Sequence, residues 1–371
     1  MKLTRLSGVA ALGAVAALTL AGCAANEGGS SAGDADNGDT AEGSGISGTI
    51  GATGASSQTA AQEAWVAGFQ TANPEATINY EPTGSGTGRE NFTSGASNFI
   101  GSDRAYEIDE FADGFAGCTS ESIVEVPLYI SPVALAFNLE GIDTLNLDAE
   151  TIAGIFAGEI TSWDDDAIAA TNDGVELPDT RITPVNRSDD SGTTETFTTY
   201  MSATAPDVWT YEPDGNWPID GTERGQGTQG VANAIDSGDG TIGYLDASQI
   251  PAGAGQVAVG VDGEFVPYSA EAASALIENS PLEDGREDQD LVFDVDPASA
   301  TGGAYPIALV SYLISCVEYE DAGVASLVKE YFTYMASAEG QEVAAEAAGS
   351  APISDGLRDQ VMTAIDAIVT E

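Results

Sequence analysis

Three short stretches rich in serine, glycine and threonine each stand just before a helix-like pattern. They are Gly54-Ala55-Ser56-Ser57, Gly84-Ser85-Gly86-Thr87-Gly88 and Asp190-Ser191-Gly192-Thr193-Thr194. Arg187 precedes the third, and Asp189 follows it by two residues. Ser56, Ser57, Ser85, Ser191 and Thr193 each offer a hydroxyl, and small residues such as Gly192 let backbone N–H groups approach a ligand closely. Helix N-termini add uncommitted N–H donors and a partial positive charge. Arg187 adds a planar fork of donors suited to two oxygens of one anion, with Asp189 placed to hold it. Together these are the parts of a receptor for a small oxyanion, in which each hydrogen bond to the charged group contributes about 1.5–3 kcal/mol. One such turn alone reads as an N-cap; three of them, with an arginine after a strand, read as a binding site.

Asp103 is the odd member. A carboxylate repels an anion, yet an ionised carboxylate only accepts hydrogen bonds. It therefore suits a ligand that still carries a proton and rejects a fully ionised one such as sulfate. By residue type alone, a surface aspartate after a strand is an equally good reading.

These residues sit in a chain of 371 residues with 10 basic and 60 acidic side chains, no histidine and a formal net charge of -50. Nucleic acid and anionic membrane surfaces are poor partners for such a chain, because like charge repels them. At 42% hydrophobic residues the chain folds, with length for two domains. The acidic surface with only two lysines, Lys2 and Lys329, fits an ion-rich medium or a genome-wide acidic bias equally well. The absence of histidine removes the common general base and the Ser-His-Asp arrangement. There is no Cys/His metal cluster and no Gly-rich loop closing in Gly-Lys-Ser/Thr, so neither a metal nor another cofactor is expected.

Residues 1–22 read as a targeting segment: Lys2 and Arg5, then an apolar run over 9–20 too short to span a bilayer comfortably. It ends in Leu20-Ala21-Gly22-Cys23, which resembles the lipobox of bacterial lipoproteins and implies acylation of Cys23. Residues 23–47 then read as an acidic flexible tether. Cys118 and Cys316 remain; an even pair in an exported chain favours a disulfide over two buried thiols.

Strand and helix patterns alternate from residue 48. The spacing predicts strands over 48–52, 76–80 and 98–101, and helices over 58–71 and 89–97. Residues 123–138 read as buried strand and crossover, interrupted by Pro127 and Pro132. Helices are expected over 148–157 and 163–171, a strand over 182–185, a helix from 194, and a helix start and strand over 227–234 and 240–245. A late strand over 305–315 and amphipathic helices over 324–335 and 357–369 close the chain. This is an α/β alternation with ligands expected at strand C-termini.

Residues 54–57, 80–88, 100–103 and 186–194, supported by 155–165 and 240–244, resemble the phosphate-binding lipoproteins and periplasmic proteins of the Pst-type phosphate ABC importer. The resemblance runs from about residue 51 to the C-terminus. It implies an α/β, two-lobed periplasmic-binding-protein-like (type II) fold with a ligand cleft between lobes joined by crossover strands. Lobe one would combine 48–129 with 304–371, and lobe two would be 130–303. The phosphate ligands would be Ser56, Ser57, Ser85, Asp103, Arg187, Ser191, Gly192 and Thr193, with Asp103 accepting the ligand's proton. Cys118 and Cys316 would both fall in lobe one. The partners implied are inorganic phosphate and the permease subunits of the importer. The chain would be a lipid-anchored monomer on the outer face of a bacterial cytoplasmic membrane, and not an enzyme. Two departures are Ser57, where some members carry an aromatic residue, and Asp190, where glycine is frequent and the extra negative charge weighs against local affinity. The competing readings are a receptor for sulfate or molybdate, an extracellular phosphatase, and a surface scaffold that would leave Arg187 and the three turns unexplained.

Overall fold

The computed structural model describes residues 45–370. The targeting segment 1–22, Cys23 and the tether up to residue 44 lie outside the described residues. From there the elements run β1 (Gly48–Gly54), α1 (Thr59–Ala72), β2 (Ala76–Glu81), α2 (Ser85–Thr93), β3 (Phe99–Ser102) and β4 (Ile123–Phe137). They continue β5 (Thr144–Leu147), α3 (Ala149–Ala157), α4 (Asp166–Thr171), β6 (Thr183–Arg187), α5 (Gly192–Thr204), β7 (Glu223–Gly225), α6 (Gly227–Ser237) and β8 (Thr241–Asp246). The last are β9 (Gly255–Val261), β10 (Glu264–Val266), α7 (Ala270–Ile277), β11 (Ala308–Cys316), α8 (Ala322–Ala336), α9 (Ala338–Ala348) and α10 (Asp355–Asp366).

The main sheet has the order β2-β1-β3-β11-β4-β8-β6-β7, with β9 also on β4 and β5 and β10 on β9. β1 is parallel to β2 and β3, and β6 is parallel to β7 and β8. The two parallel groups meet through β4, which is buried along its whole length. Its first part, to Pro132, pairs antiparallel with β11; from Val133 it pairs with β8, and its end also with β9. The prolines do not interrupt it. Pro127 has no N–H to give, and the ladder slips beside it: Ser311 faces Tyr129 and Tyr312 faces Pro127, so Leu128 has no opposite number. Pro132 stands where β4 changes partner, the other place a sheet tolerates proline.

Aromatic packing fixes the helices on either side. Trp65 and Phe69 are the buried face of α1, and Phe69 meets Tyr331 of α8 edge-on at 5.2 Å. Phe99 of β3 meets Phe332 of α8 at 5.4 Å. On the β6–β8 side, Phe156 of α3 and Tyr244 of β8 hold Phe197 of α5 at 4.8 and 4.6 Å. Burying each such ring contributes about 1.5–3 kcal/mol. Cys118 and Cys316 are bridged, with Cα atoms 5.3 Å apart and a sequence separation of 198. A closed loop of that length contributes about 5 kcal/mol in the chain-entropy account.

Two expected helices start elsewhere. α2 begins at Ser85, inside the second Ser/Gly stretch rather than after it. α4 begins at Asp166, because Trp163 is committed to the turn before it: its N–H bonds the Thr180 carbonyl at 3.0 Å and its indole the Gly240 carbonyl at 3.1 Å. Among the described residues, no helix is long and apolar enough to cross a membrane.

Candidate functional site

The three Ser/Gly stretches follow β1, β2 and β6; β6 runs opposite to the other two, so its C-terminal end faces theirs, and the fold brings the stretches into one ring. Gly84 N–H bonds the Gly54 carbonyl at 2.8 Å, joining the first stretch to the second. Gly86 N–H bonds the Asp190 carbonyl at 3.2 Å, joining the second to the third. Gly84 has φ 99°, and a side chain there would press on the Asp189 carboxylate 2.5 Å away. Gly192 has no room for a Cβ either, because the Asp103 side chain stands against it. Glycine at these two positions is what lets the segments meet.

Asp103 follows β3 at the centre of the ring. Its Oδ1 accepts the hydroxyls of Ser57 and Ser311, each at 2.6 Å, and its Oδ2 accepts that of Thr193 at 2.9 Å. Its backbone N–H donates to Ser85 Oγ at 3.1 Å. The carboxylate thus draws hydroxyls from the β1 turn, from β11 and from the start of α5, and it has no arginine or lysine on it. Asp103 is 8% exposed, whereas Ser57, Ser85 and Thr193 are at or below 1%. The reading of Asp103 as an ordinary surface residue is therefore set aside.

Arg187 ends β6 and is 3% exposed. Its Nε donates to Asp189 Oδ1 at 2.9 Å and its Nη2 to Asp189 Oδ2 at 2.5 Å. Asp189 Oδ1 also accepts the N–H of Gly227 at 3.0 Å. Burial works to raise the Asp189 carboxyl, but Arg187 and the Gly227 N–H outweigh it and hold it below the usual range. Tyr244 fixes the base of the arginine: its hydroxyl accepts Arg187 N–H at 3.2 Å and shares a hydrogen bond with Thr194 Oγ1 at 2.8 Å. Burial, the largest influence, pushes that phenol up to about 12, so it stays neutral.

The remaining hydroxyls divide between capping and bridging. Ser191 caps α5, accepting Thr194 N–H at 3.3 Å. Ser56 does not cap α1, which has no side-chain cap. Its Oγ instead pairs with Thr228 Oγ1 at 3.0 Å and accepts Thr228 N–H at 3.1 Å. The Ser56 carbonyl accepts Gln249 Nε2 at 2.8 Å. All eight residues singled out in the sequence therefore lie around one locus. Sequence reasoning missed Ser311, Gly227, Thr228, Gln249 and Tyr244. Gly227 and Thr228 left a signal as a fourth glycine-led helix start, and Tyr244 falls in the supporting stretch 240–244; Ser311 is one small polar residue inside an apolar strand.

Asp190 does not stand unopposed beside the site. Arg104 Nη2 holds both its oxygens, at 3.0 and 2.9 Å, while Nη1 donates to Glu195 Oε2 at 2.7 Å. The charge that weighed against affinity in the sequence is matched by a cation from the opposite side.

A mixed sheet in which two parallel groups share one long crossover strand, with helix N-termini facing each other across the strand ends, defines the two-lobed fold of periplasmic solute-binding proteins. The chain matches the PBP superfamily domain over residues 39–339. It is 32% identical to the phosphate-binding protein PstS 3 of Mycobacterium leprae over 84% of this chain and 85% of that protein. It is 32% identical to PstS 3 of Mycobacterium tuberculosis over 99% of this chain and the whole of that one. A high-affinity periplasmic phosphate-binding protein solved with phosphate bound superposes with a TM-score of 0.69 at 23% identity, covering 85% of this chain and 93% of that one. The chain belongs to the PBP superfamily and, within it, to the PstS family of phosphate-binding proteins.

Proposed function

We propose that the chain captures inorganic phosphate outside the cell and delivers it to the permease subunits of an ABC importer. The observation that carries this reading is Asp103, a buried carboxylate surrounded by hydroxyls and facing helix N-termini instead of a cation. An anion entering that ring must bring its own proton, and inorganic phosphate at neutral pH has one. Each serine or threonine hydroxyl has one hydrogen and can turn it from Asp103 to the ligand, while the ligand's P–OH takes the lone pair so released. Asp189 occupies the Nε–Nη2 edge of Arg187 and leaves the other edge for phosphate oxygens.

In this reading Ser56, Ser57, Ser85 and Asp103 bind from lobe one, and Arg187, Ser191, Gly192 and Thr193 from lobe two. Lobe one comprises 48–129 with 304–371, and lobe two comprises 130–303. Residues 289–291 lie along β4 at Glu125. Phosphate favours the closed state because only that state makes both sets of bonds. The protein acts as a monomer held to the membrane by a lipid on Cys23, and it performs no chemistry on its ligand. Isothermal titration of the full chain with inorganic phosphate tests this: one phosphate per chain is expected. No binding, or turnover of a chromogenic phosphate ester, overturns it.

A further inference from the structure

Arg104 is the residue after Asp103, and its surroundings differ from those of an ordinary surface arginine. The backbone around it is pinned from several sides. Its own carbonyl accepts Ser102 Oγ at 2.6 Å. The Ala105 carbonyl accepts Arg89 Nη1 at 2.6 Å, and the Tyr106 carbonyl accepts Arg286 Nη1 at 3.0 Å. Tyr106 N–H donates to the buried Glu125 at 3.0 Å. Two of the few arginines in the chain are thus spent on fixing the segment that carries a third. From this platform Arg104 reaches across to the β6–α5 side. There it pairs with Asp190 at 2.9 Å and with Glu195, in the first turn of α5, at 2.7 Å.

Asp190 is also held in place. The backbone of Asp190 accepts Gly86 N–H, and Ser191 N–H bonds the Gly215 carbonyl at 2.9 Å. Any side chain at Gly215 would run into Asp190 Oδ1. The cluster is one-quarter to one-third exposed, open enough for salt to act on it. Burial lowers the readiness of Arg104 to hold its proton, but the charges of Glu195 and Asp190 more than reverse this.

We propose that Arg104, Asp190 and Glu195 form a clasp that holds the cleft closed over its ligand and so sets the rate of phosphate release. The inference rests on the phosphate-capture reading of the same site. Arg104 is a positioning residue: it touches neither Asp103's carboxylate nor Arg187, and acts by keeping the α5 N-terminus against the β3 side. Without it, Asp190 and Glu195 are left on the β6–α5 side with their charges uncancelled.

The test uses the full chain and Arg104→Gln, Glu195→Gln and the double variant, with inorganic phosphate as the probe. Stopped-flow release should be about tenfold faster in Arg104→Gln, within the range that conformational coupling spans. Wild-type release should quicken with ionic strength, because salt screens the clasp, and the variant's should be nearly flat. A merely structural arginine would not change that salt slope. The double variant should release no faster than the more affected single variant. In phosphate-free buffer, small-angle scattering should give Arg104→Gln the larger radius of gyration. Wild-type release and salt slope in Arg104→Gln overturn the clasp. If the wild type itself takes up no phosphate, the capture reading fails, and an unchanged radius in the variant still overturns the clasp on its own.

Discussion

Asp103 and Asp246 are two buried aspartates with the same kind of neighbours, hydroxyl groups, and different work. Asp103 receives the hydroxyls of Ser57, Ser311 and Thr193. Asp246 receives the hydroxyls of Tyr129, Ser131 and Ser248 and the Ser248 N–H. Neither is paired with an arginine or lysine. The difference lies in where the donors come from and what else faces them. Asp246 sits at the end of β8 opposite Val133, where β4 changes partner, and all its donors belong to that junction. It is fully buried and ties the two parts of the sheet together. Asp103 gathers donors from the turn after β1, from β11 and from α5, retains some exposure, and lies among helix N-termini. A carboxylate ringed by hydroxyls is thus not in itself a site; convergence of separate N-termini on it is what makes one.

The largest expected effect is at the cation of the site. Arg187→Met removes the fork and with it two charge-assisted hydrogen bonds to the ligand, a loss of about 3–5 kcal/mol or about a hundred- to several thousand-fold in phosphate affinity. Titration calorimetry checks it, and a loss under tenfold would place the ligand elsewhere.

The second effect belongs to Asp246. Burial, its largest influence, pushes this carboxyl up from 3.8 to about 6, against the pull of its hydroxyl donors. Because the folded-state value is the higher one, the stabilisation is complete below about pH 4 and is lost as pH rises through about 6. A shift of about two units corresponds to about 3 kcal/mol. Asp246→Asn has no charge to bury, so its stability relative to wild type should rise by about that amount between pH 3.5 and 7.5 in urea melts. A difference that stays constant with pH would show that Asp246 is ionised at no cost.

The smallest effects separate the two rings. Thr193→Val should weaken phosphate binding about tenfold and change stability little. Ser131→Ala should do the opposite, costing about 1–2 kcal/mol of stability and leaving affinity intact. Equal effects of both variants on affinity would erase the distinction between site and junction.

Much of this was legible in the sequence, because the site is built from local signals. A strand, a Ser/Gly turn and a helix start lie within a dozen residues, and Arg187 with its Asp189 is a contiguous motif. What was not legible depends on long-range pairing. Ser311 reaches Asp103 from 208 residues away, and Thr228 reaches Ser56 from 172. α7 and α9 were not expected, since both are alanine-rich with few large apolar residues to mark a face. α9 is fixed by tertiary contact, including Trp65 Nε1 on the Gly340 carbonyl at 2.7 Å. The extra charge of Asp190 read as a liability because Arg104, its partner, lies 86 residues earlier. The net charge of -50 also looks less opposed to anion binding once the site is seen as short, enclosed contacts, since surface charges beyond about 10 Å are largely screened at moderate salt.

The central claim is that Asp103 reads the proton on the ligand. Its most direct test is competition of phosphate and sulfate for the wild type and for Asp103→Asn at neutral pH. The account predicts that sulfate fails to compete in the wild type, and that the variant loses more of its phosphate-over-sulfate preference than of its phosphate affinity. Sulfate competing on equal terms in the wild type, or an undiminished preference in Asp103→Asn, would contradict it.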